Sequence, residues 1–338
     1  IRKCMVWTGN STIDYAVHTH FHNDHFGGYT SSLPKSANSC TYSLIGFAEI
    51  FDNFKIGTLL DRGYPDYNYP FNMATMADNA PSCNNYINAV KWHVANQKFD
   101  AAIFKAGANN QIVQKYNPAK YPTAKVQNVA VNGEICTGSC TTTKKTFPEL
   151  SEISYKTSKN ITSSDNCPPE NITSCVMKVS YGNFDFFAGG DLQYNGRSSH
   201  AWKDAELPCA KAVGQVELLK ANHHGVTNTN QVDALKALNP QTIVVNSWVD
   251  CHPRTDILNS METTLPACDM FITNFWQGDR PSGVDDRVTA EEAARVKGYD
   301  GHIVVRVTDG GNKYRVVTIT DSDGAMTVKT ISGPYTSR

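Results

Sequence analysis

Short apolar runs separated by turn residues dominate the chain. Residues 13–19 (IDYAVHT) form a mostly apolar run that reads as a buried strand. Residues 44–54 read as a helix and 56–60 as a strand. Across 84–99, Ile87, Val90 and Val94 recur at helical spacing, which predicts a helix. Residues 101–150 hold several short extended pieces, and 157–173 read as loop. Residues 174–180 and 184–188 flank Tyr181-Gly182-Asn183, a hairpin signal. A strand at 216–221, a helix at 231–238 and a buried strand at 242–246 follow. The helix expected at 289–297 takes Thr289 as N-cap and Glu291 and Glu292 in its first turn. A hairpin of 302–307 and 314–320 closes the pattern. No internal repeat and no low-complexity linker interrupts it. Strands alternating with turns and helices predict an α/β fold.

With 338 residues, 40% hydrophobic and 19% charged, the chain buries a core rather than staying a solvated polyampholyte. Thirty-one basic against 32 acidic side chains leave a formal charge of -1. That excludes a protein gripping nucleic acid through bulk charge, but not one with a local basic groove. No apolar run is long enough to span a membrane, so no membrane association is expected. No leader pattern opens the chain, and a signal peptide is expected to have been removed.

Ten cysteines, an even number without a Cys-x-x-Cys pair, argue for five disulfides in an oxidising compartment rather than a zinc ribbon. Short loops favour Cys136 with Cys140 and Cys167 with Cys175; the other pairings stay open. Glycosylation sequons begin at Asn10, Asn160 and Asn171. Together these point to a secreted, extracellular glycoprotein.

The densest chemistry is Thr19-His20-Phe21-His22-Asn23-Asp24-His25-Phe26-Gly27-Gly28. Imidazole and carboxylate are the ligands divalent zinc takes when thiolates are absent. In an extended segment His20 and His22 point to one side, and a tight turn then offers Asp24 and His25 to a second centre. Gly27 and Gly28 let the backbone turn behind them.

This motif resembles the metallo-β-lactamase superfamily. Residues 186–191 (FFAGGD) look like the strand ending in its metal-bridging aspartate. Residues 218–225 (LLKANHHG), 250–253 (DCHP) and 171–179 (NITSCVMKV) resemble the branch containing the hydrolase domain of the ComEC competence protein and the pneumococcal phosphorylcholine esterase. The similarity runs from about residue 13 to 260. It suggests a secreted eukaryotic, fungal-type member. The resemblance implies an αββα sandwich of two mixed sheets with outer helices, as one domain over 1–338 with a large insertion at about 30–165. It also implies two zinc ions. His20 and His22 would bind the first, Asp24, His25 and His252 the second, and Asp191 would bridge them. One of His223 and His224 would complete the first site, and the other would face substrate. We take His224 as the ligand and His223 as the acid. Two departures stand out. Only His93, in an expected helix, lies between His25 and Asp191, and we read it as structural. The first histidine motif also arrives almost at once, where the family has several strands before it.

Two zinc ions about 3.5–4 Å apart activate a water for attack on carbonyl carbon or phosphorus. Asp24 would orient that water, and His223 would protonate the leaving oxygen. The branch weights phosphodiesters, so the expected activity is a phosphodiesterase, most plainly a nuclease cutting RNA or DNA, with no obligate protein partner. Arg254, Lys220 and Arg197 are candidate phosphate contacts, and Phe21, Phe26, Trp202 and Trp248 candidate base-stacking rings. The alternative activity is a lactonase or β-lactamase opening a cyclic ester or amide. An inactive binding module on the same fold is the third reading.

Overall fold

Parallel pairing of apolar strands organises the first part of the chain in the computed structural model, which describes residues 1–153, 166–194, 200–277, 288–322 and 324–338. The chain divides into two compact units. Unit 1 comprises Ile1–Lys105, Val131–Gly133 and Thr146–Cys175; unit 2 comprises Ala106–Ala130, Glu134–Lys145 and Val176–Arg338.

Unit 1 runs through α1 (Arg2–Thr8), β1 (Thr12–Val17), α2 (Asn23–Phe26), α3 (Phe47–Asn53), β2 (Lys55–Asp61), α4 (Met73–Met76), α5 (Ala80–Ala95) and β3 (Asp100–Ile103). The three strands form a parallel sheet in the order β1-β2-β3. Phe21, Phe26, Phe51, Leu59, Tyr86 and Val90 are central to its core. Helix α5 lies four residues earlier than the expected span 84–99. Its first turn holds Pro81, which needs no amide partner there, and Asn96 with left-handed Gln97 ends it. The apolar spacing located the helix, whereas the turn chemistry set its limits.

Unit 2 carries β4 (Lys125–Val131), β5 (Glu134–Thr137), β6 (Thr142–Lys145), β7 (Val176–Tyr181), β8 (Phe184–Ala188), α6 (Glu206–Val213), β9 (Leu218–Lys220), α7 (Val232–Leu238), β10 (Thr242–Val245), α8 (Thr255–Thr264), β11 (Asp269–Ile272), α9 (Ala290–Arg295), β12 (Val296–Tyr299), β13 (His302–Thr308), β14 (Lys313–Ile319) and β15 (Val328–Thr336). Nine strands form a mixed sheet in the order β12-β11-β10-β9-β8-β7-β4-β5-β6. Strands β8 to β12 run parallel, while β7 pairs antiparallel with β8 and β4. The expected hairpin around Tyr181-Gly182-Asn183 is present, with Gly182 at φ 58°. So is the closing hairpin β13–β14, to which the structure adds the edge strand β15. Thr289 caps α9, exchanging hydrogen bonds with Glu292 as a capping box. Phe184, Leu218, Phe271, Tyr314 and Val316 form a core cluster within this unit. The chain is therefore α/β with mixed sheets, as its pattern predicts.

Candidate metal centre

The residues expected to bind metal lie in two groups, each built where a parallel strand ends. Side chains leaving the carboxyl ends of adjacent parallel strands converge, which is why open α/β sheets place their ligands there.

In unit 1, β1 delivers His18, Thr19 and His20 to the loop ahead of α2. His20 is buried, and its Nε2 lies 3.2 Å from His22 Nδ1. The Thr19 hydroxyl sits 3.2 Å from His20 Nδ1 and 3.3 Å from His25 Nδ1. A hydroxyl has one proton and two lone pairs, so Thr19 donates to at most one of the two rings. His25 Nε2 faces Asp24 Oδ2 at 3.4 Å. Gly27 makes the turn behind them at φ 103°, and a Cβ there would stand 2.6 Å from Ile45 Cγ1. Gly28 has ordinary space around it, so only the first of the two expected glycines is required.

This loop is held by a buried ion pair that the sequence did not announce. Arg62, at the end of β2, is fully buried and donates to both carboxylate oxygens of Glu170. It also donates to the Tyr69 carbonyl at 2.9 Å and stacks over the Phe21 ring at 4.8 Å. Glu170 in turn accepts the Phe21 backbone N–H at 2.6 Å, and the Cys175 N–H donates to the Thr19 carbonyl at 2.9 Å. Burial pushes the Glu170 carboxyl up, but the Arg62 charge overrides it and holds the group below its usual range.

His18 also escaped sequence reasoning. It is 1% exposed, packs against Phe21, Phe26, Phe47 and Tyr86, and no side chain hydrogen-bonds its ring nitrogens. Burial, then the nearby His25 and Arg62, drive its pKa well below 6.5, so it is a neutral ring.

In unit 2, Asp191 follows β8 and is fully buried. His224 Nε2 lies 3.4 Å and His223 Nε2 3.8 Å from its Oδ2. Both histidines adopt left-handed backbone, which is rare for non-glycine residues, and both rings present Nε2 to the same Asp191 oxygen. His224 Nδ1 meets the Asn246 carbonyl at 2.6 Å, just past β10. A carbonyl only accepts, so Nδ1 carries a proton, and in the neutral ring Nε2 presents its lone pair on the Asp191 side. The His252 ring stacks parallel to His224 at 5.8 Å. The loop is braced from below by buried Glu206, which accepts from Asn222 Nδ2 at 2.7 Å and from the Asn230 and Gln231 amides. Burial raises the Glu206 carboxyl to about 7 despite those three donors. A Cβ on Gly189 would stand 2.2 Å from Asn222 Oδ1, so the strand end accepts only glycine there. Neither Asn246 nor Glu206 carries a sequence signal, because each acts from a distant stretch of chain.

Several expected contacts change. Lys220 donates to the Gly190 and Ala221 carbonyls at 3.0 Å each and stands 3.9 Å from Asp191, so it braces the loop rather than reaching outward. Arg254 is the N-cap of α8, its amide bonded to the Gly225 carbonyl and its side chain 3.8 Å from Asp256. Arg197 lies outside the described residues. Phe21 and Phe26 are core residues and cannot stack a base, whereas Trp248 is 83% exposed and Trp202 partly so. His93 is structural, as read: its Nε2 lies 3.0 Å from Asp52 and 3.2 Å from the Tyr42 hydroxyl.

Cys136 and Cys140 form a disulfide as expected. Cys167 and Cys175 do not; both are buried thiols, and among the described residues no other pair is bridged, which departs from the five expected bonds. Asn171 is 7% exposed within a short 3-10 turn. Asn160 lies outside the described residues, and Asn10 is partly exposed. Among the described residues no helix is long and apolar enough to cross a membrane.

Comparison with protein-family models and with curated proteins finds no match.

Proposed function

We propose that the histidine–aspartate groups hold two zinc ions and that the protein is a secreted phosphodiesterase of metallo-β-lactamase αββα type, with RNA the favoured substrate. One observation carries the metal reading. The Asn246 carbonyl fixes the His224 tautomer so that Nε2 faces the buried Asp191 carboxylate at 3.4 Å. Two donors each about 2.0–2.1 Å from one tetrahedral ion stand roughly 3.3 Å apart. The spacings His224–Asp191, Asp24–His25 and His20–His22 all fit that requirement within their own units. The donor set of imidazole and carboxylate suits zinc, and the order of the motifs along the chain supports the wider fold.

When bound, zinc supplies Lewis acidity toward a phosphoryl oxygen and brings the pKa of a water near 7. The residues do the rest. Asp24, more than half exposed, accepts a hydrogen bond from the attacking water and orients it. His223 stands farther from Asp191 than His224 does, and its side chain keeps some exposure. It is therefore placed to hold a proton and pass it to the leaving alkoxide. A poor leaving group gains most from such a donor, which favours phosphodiesters over strained lactones or lactams. Arg254, whose amide bonds the Gly225 carbonyl, would supply a cation for a phosphate oxygen.

The test compares two neighbours. His224→Ala should lose zinc. His223→Ala should keep zinc yet lose about 10²–10⁴ of its rate on RNA, with a smaller loss on a nitrophenyl phosphodiester. Zinc lost from His223→Ala and kept by His224→Ala would reverse the roles. Zinc-loaded wild type that leaves RNA and DNA intact while opening a lactone or β-lactam would replace the reading with the cyclic-ester or amide hydrolase.

A further inference from the structure

In unit 2 a cleft of about 220 Å³ is lined by Asn259, Glu262 and Thr263 of α8, by Thr289, and by Glu291, Glu292 and Arg295 of α9. Residues three and four apart share one face of a helix, so α8 offers an amide, a carboxylate and a hydroxyl together. Glu262 lies well along α8 from its Arg254 N-cap, about 12 Å by the rise per residue. It is only 4% exposed, yet its Oε1 has no hydrogen-bond partner. A buried carboxylate oxygen without a donor is costly, so the group calls for a proton or a bound cation. Arg295 is committed elsewhere: Nη1 donates to the Glu262 main-chain carbonyl and Nη2 to that of Pro266, each at 3.2 Å. Glu292 accepts the Thr289 N–H and hydroxyl through Oε2, so Oε1 stands outside the cap. Glu291 is exposed beside it. Burial pushes the Glu262 carboxyl up to about 7; the Arg295 charge opposes that rise, and Glu292 and Glu291 add to it. When ionised, the carboxylates of Glu262, Glu291 and Glu292 outnumber the single guanidinium by two charges.

We propose that this cleft binds one calcium ion, held by Glu262 Oε1 with Glu291 and Glu292 and completed by the Asn259 amide oxygen and the Thr263 hydroxyl. Every donor is a neutral or anionic oxygen, which suits a hard cation and not zinc. Asn259, Thr263 and Glu291 are exposed and free to adjust, so the site suits the irregular shell of calcium better than the strict octahedron of magnesium. A divalent charge offsets the excess of two carboxylates, gives Glu262 Oε1 its partner and ties α8 to α9. The site shares no residue with the histidine groups and is independent of the phosphodiesterase reading.

Equilibrium dialysis of the zinc-loaded full chain against radiolabelled calcium should show one calcium per chain, with a dissociation constant of about 10⁻⁴–10⁻³ M or tighter. Calcium at about 5 mM should raise Tm by about 1–4 °C, and magnesium at the same concentration by less. Glu262→Gln keeps the shape and removes the charge; it should take up no calcium there and melt no lower than calcium-free wild type. Glu291→Gln, at the surface, should fold as wild type and weaken calcium binding about three- to tenfold. No calcium uptake by wild type, or uptake unchanged in Glu262→Gln, overturns the proposal. Should Glu262→Gln fail to fold, an unchanged affinity in Glu291→Gln overturns it alone. A wild type indifferent to calcium with a more stable Glu262→Gln replaces the site with a carboxyl buried as its neutral acid.

Discussion

Removing the charge of Glu170 tests how the histidine loop is held. Glu170→Gln keeps the shape but leaves the buried Arg62 guanidinium without its counter-ion. Four further contacts remain to that guanidinium: the Tyr69 carbonyl, Asn132 Oδ1 at 3.3 Å, Met73 Sδ at 3.5 Å and the Phe21 face. None of them is charged. Breaking one side of a buried pair costs about 3–5 kcal/mol, whereas replacing both sides by apolar groups is often close to neutral. Glu170→Gln and Arg62→Met should each cost about 3 kcal/mol or more, and the double variant clearly less than the sum. Urea unfolding by fluorescence and circular dichroism gives the free energies, provided both probes report coincident transitions. Exchange of the Phe21 amide, bonded at 2.6 Å to Glu170, is the local readout and should quicken in Glu170→Gln. The pH sign follows from the lowered Glu170 carboxyl. Its contribution is fully present above the unfolded value of about 4.5 and is lost as pH falls through the folded value below that. The double variant should lack this acid limb. Single substitutions costing under about 1 kcal/mol, with a strictly additive double, would refute the reasoning.

Two other outcomes are expected. His18→Leu removes a buried imidazole that no side chain hydrogen-bonds and should stabilise the protein by about 1 kcal/mol or more, raising Tm. Its gain should widen as pH falls below 6.5, where the unfolded imidazole takes a proton that the buried ring refuses; a lowered Tm would show that the imidazole is partnered. Trp248→Ala should leave Tm within about 0.5 kcal/mol equivalent, because the indole is exposed, yet weaken single-stranded RNA by about 1–3 kcal/mol in a fluorescence titration; unchanged binding removes Trp248 as a stacking ring.

Local pattern was enough to locate the strand ahead of the histidines, the hairpin at Gly182, the capped α9 and the short Cys136–Cys140 loop, because each depends on residues close in sequence. The donor-rich stretches His20–His25, Asp191 and His223–His224 were equally legible, since histidine and aspartate at strand ends have little other use. What packs against them was not. Phe21 and Phe26 look like stacking rings in sequence and are core in the fold, while Trp248 stays outside. The Lys220 charge turns inward onto two carbonyls. Glu170 meets Arg62 across 108 residues, and Glu206 reaches Asn230 across 24. Such pairings are set by which strands neighbour one another and by the need of each buried charge or amide for a partner. The sequence determined which side chains can bind a metal. Only tertiary structure decided which nitrogen of His224 is offered, because the carbonyl that fixes it comes from another strand.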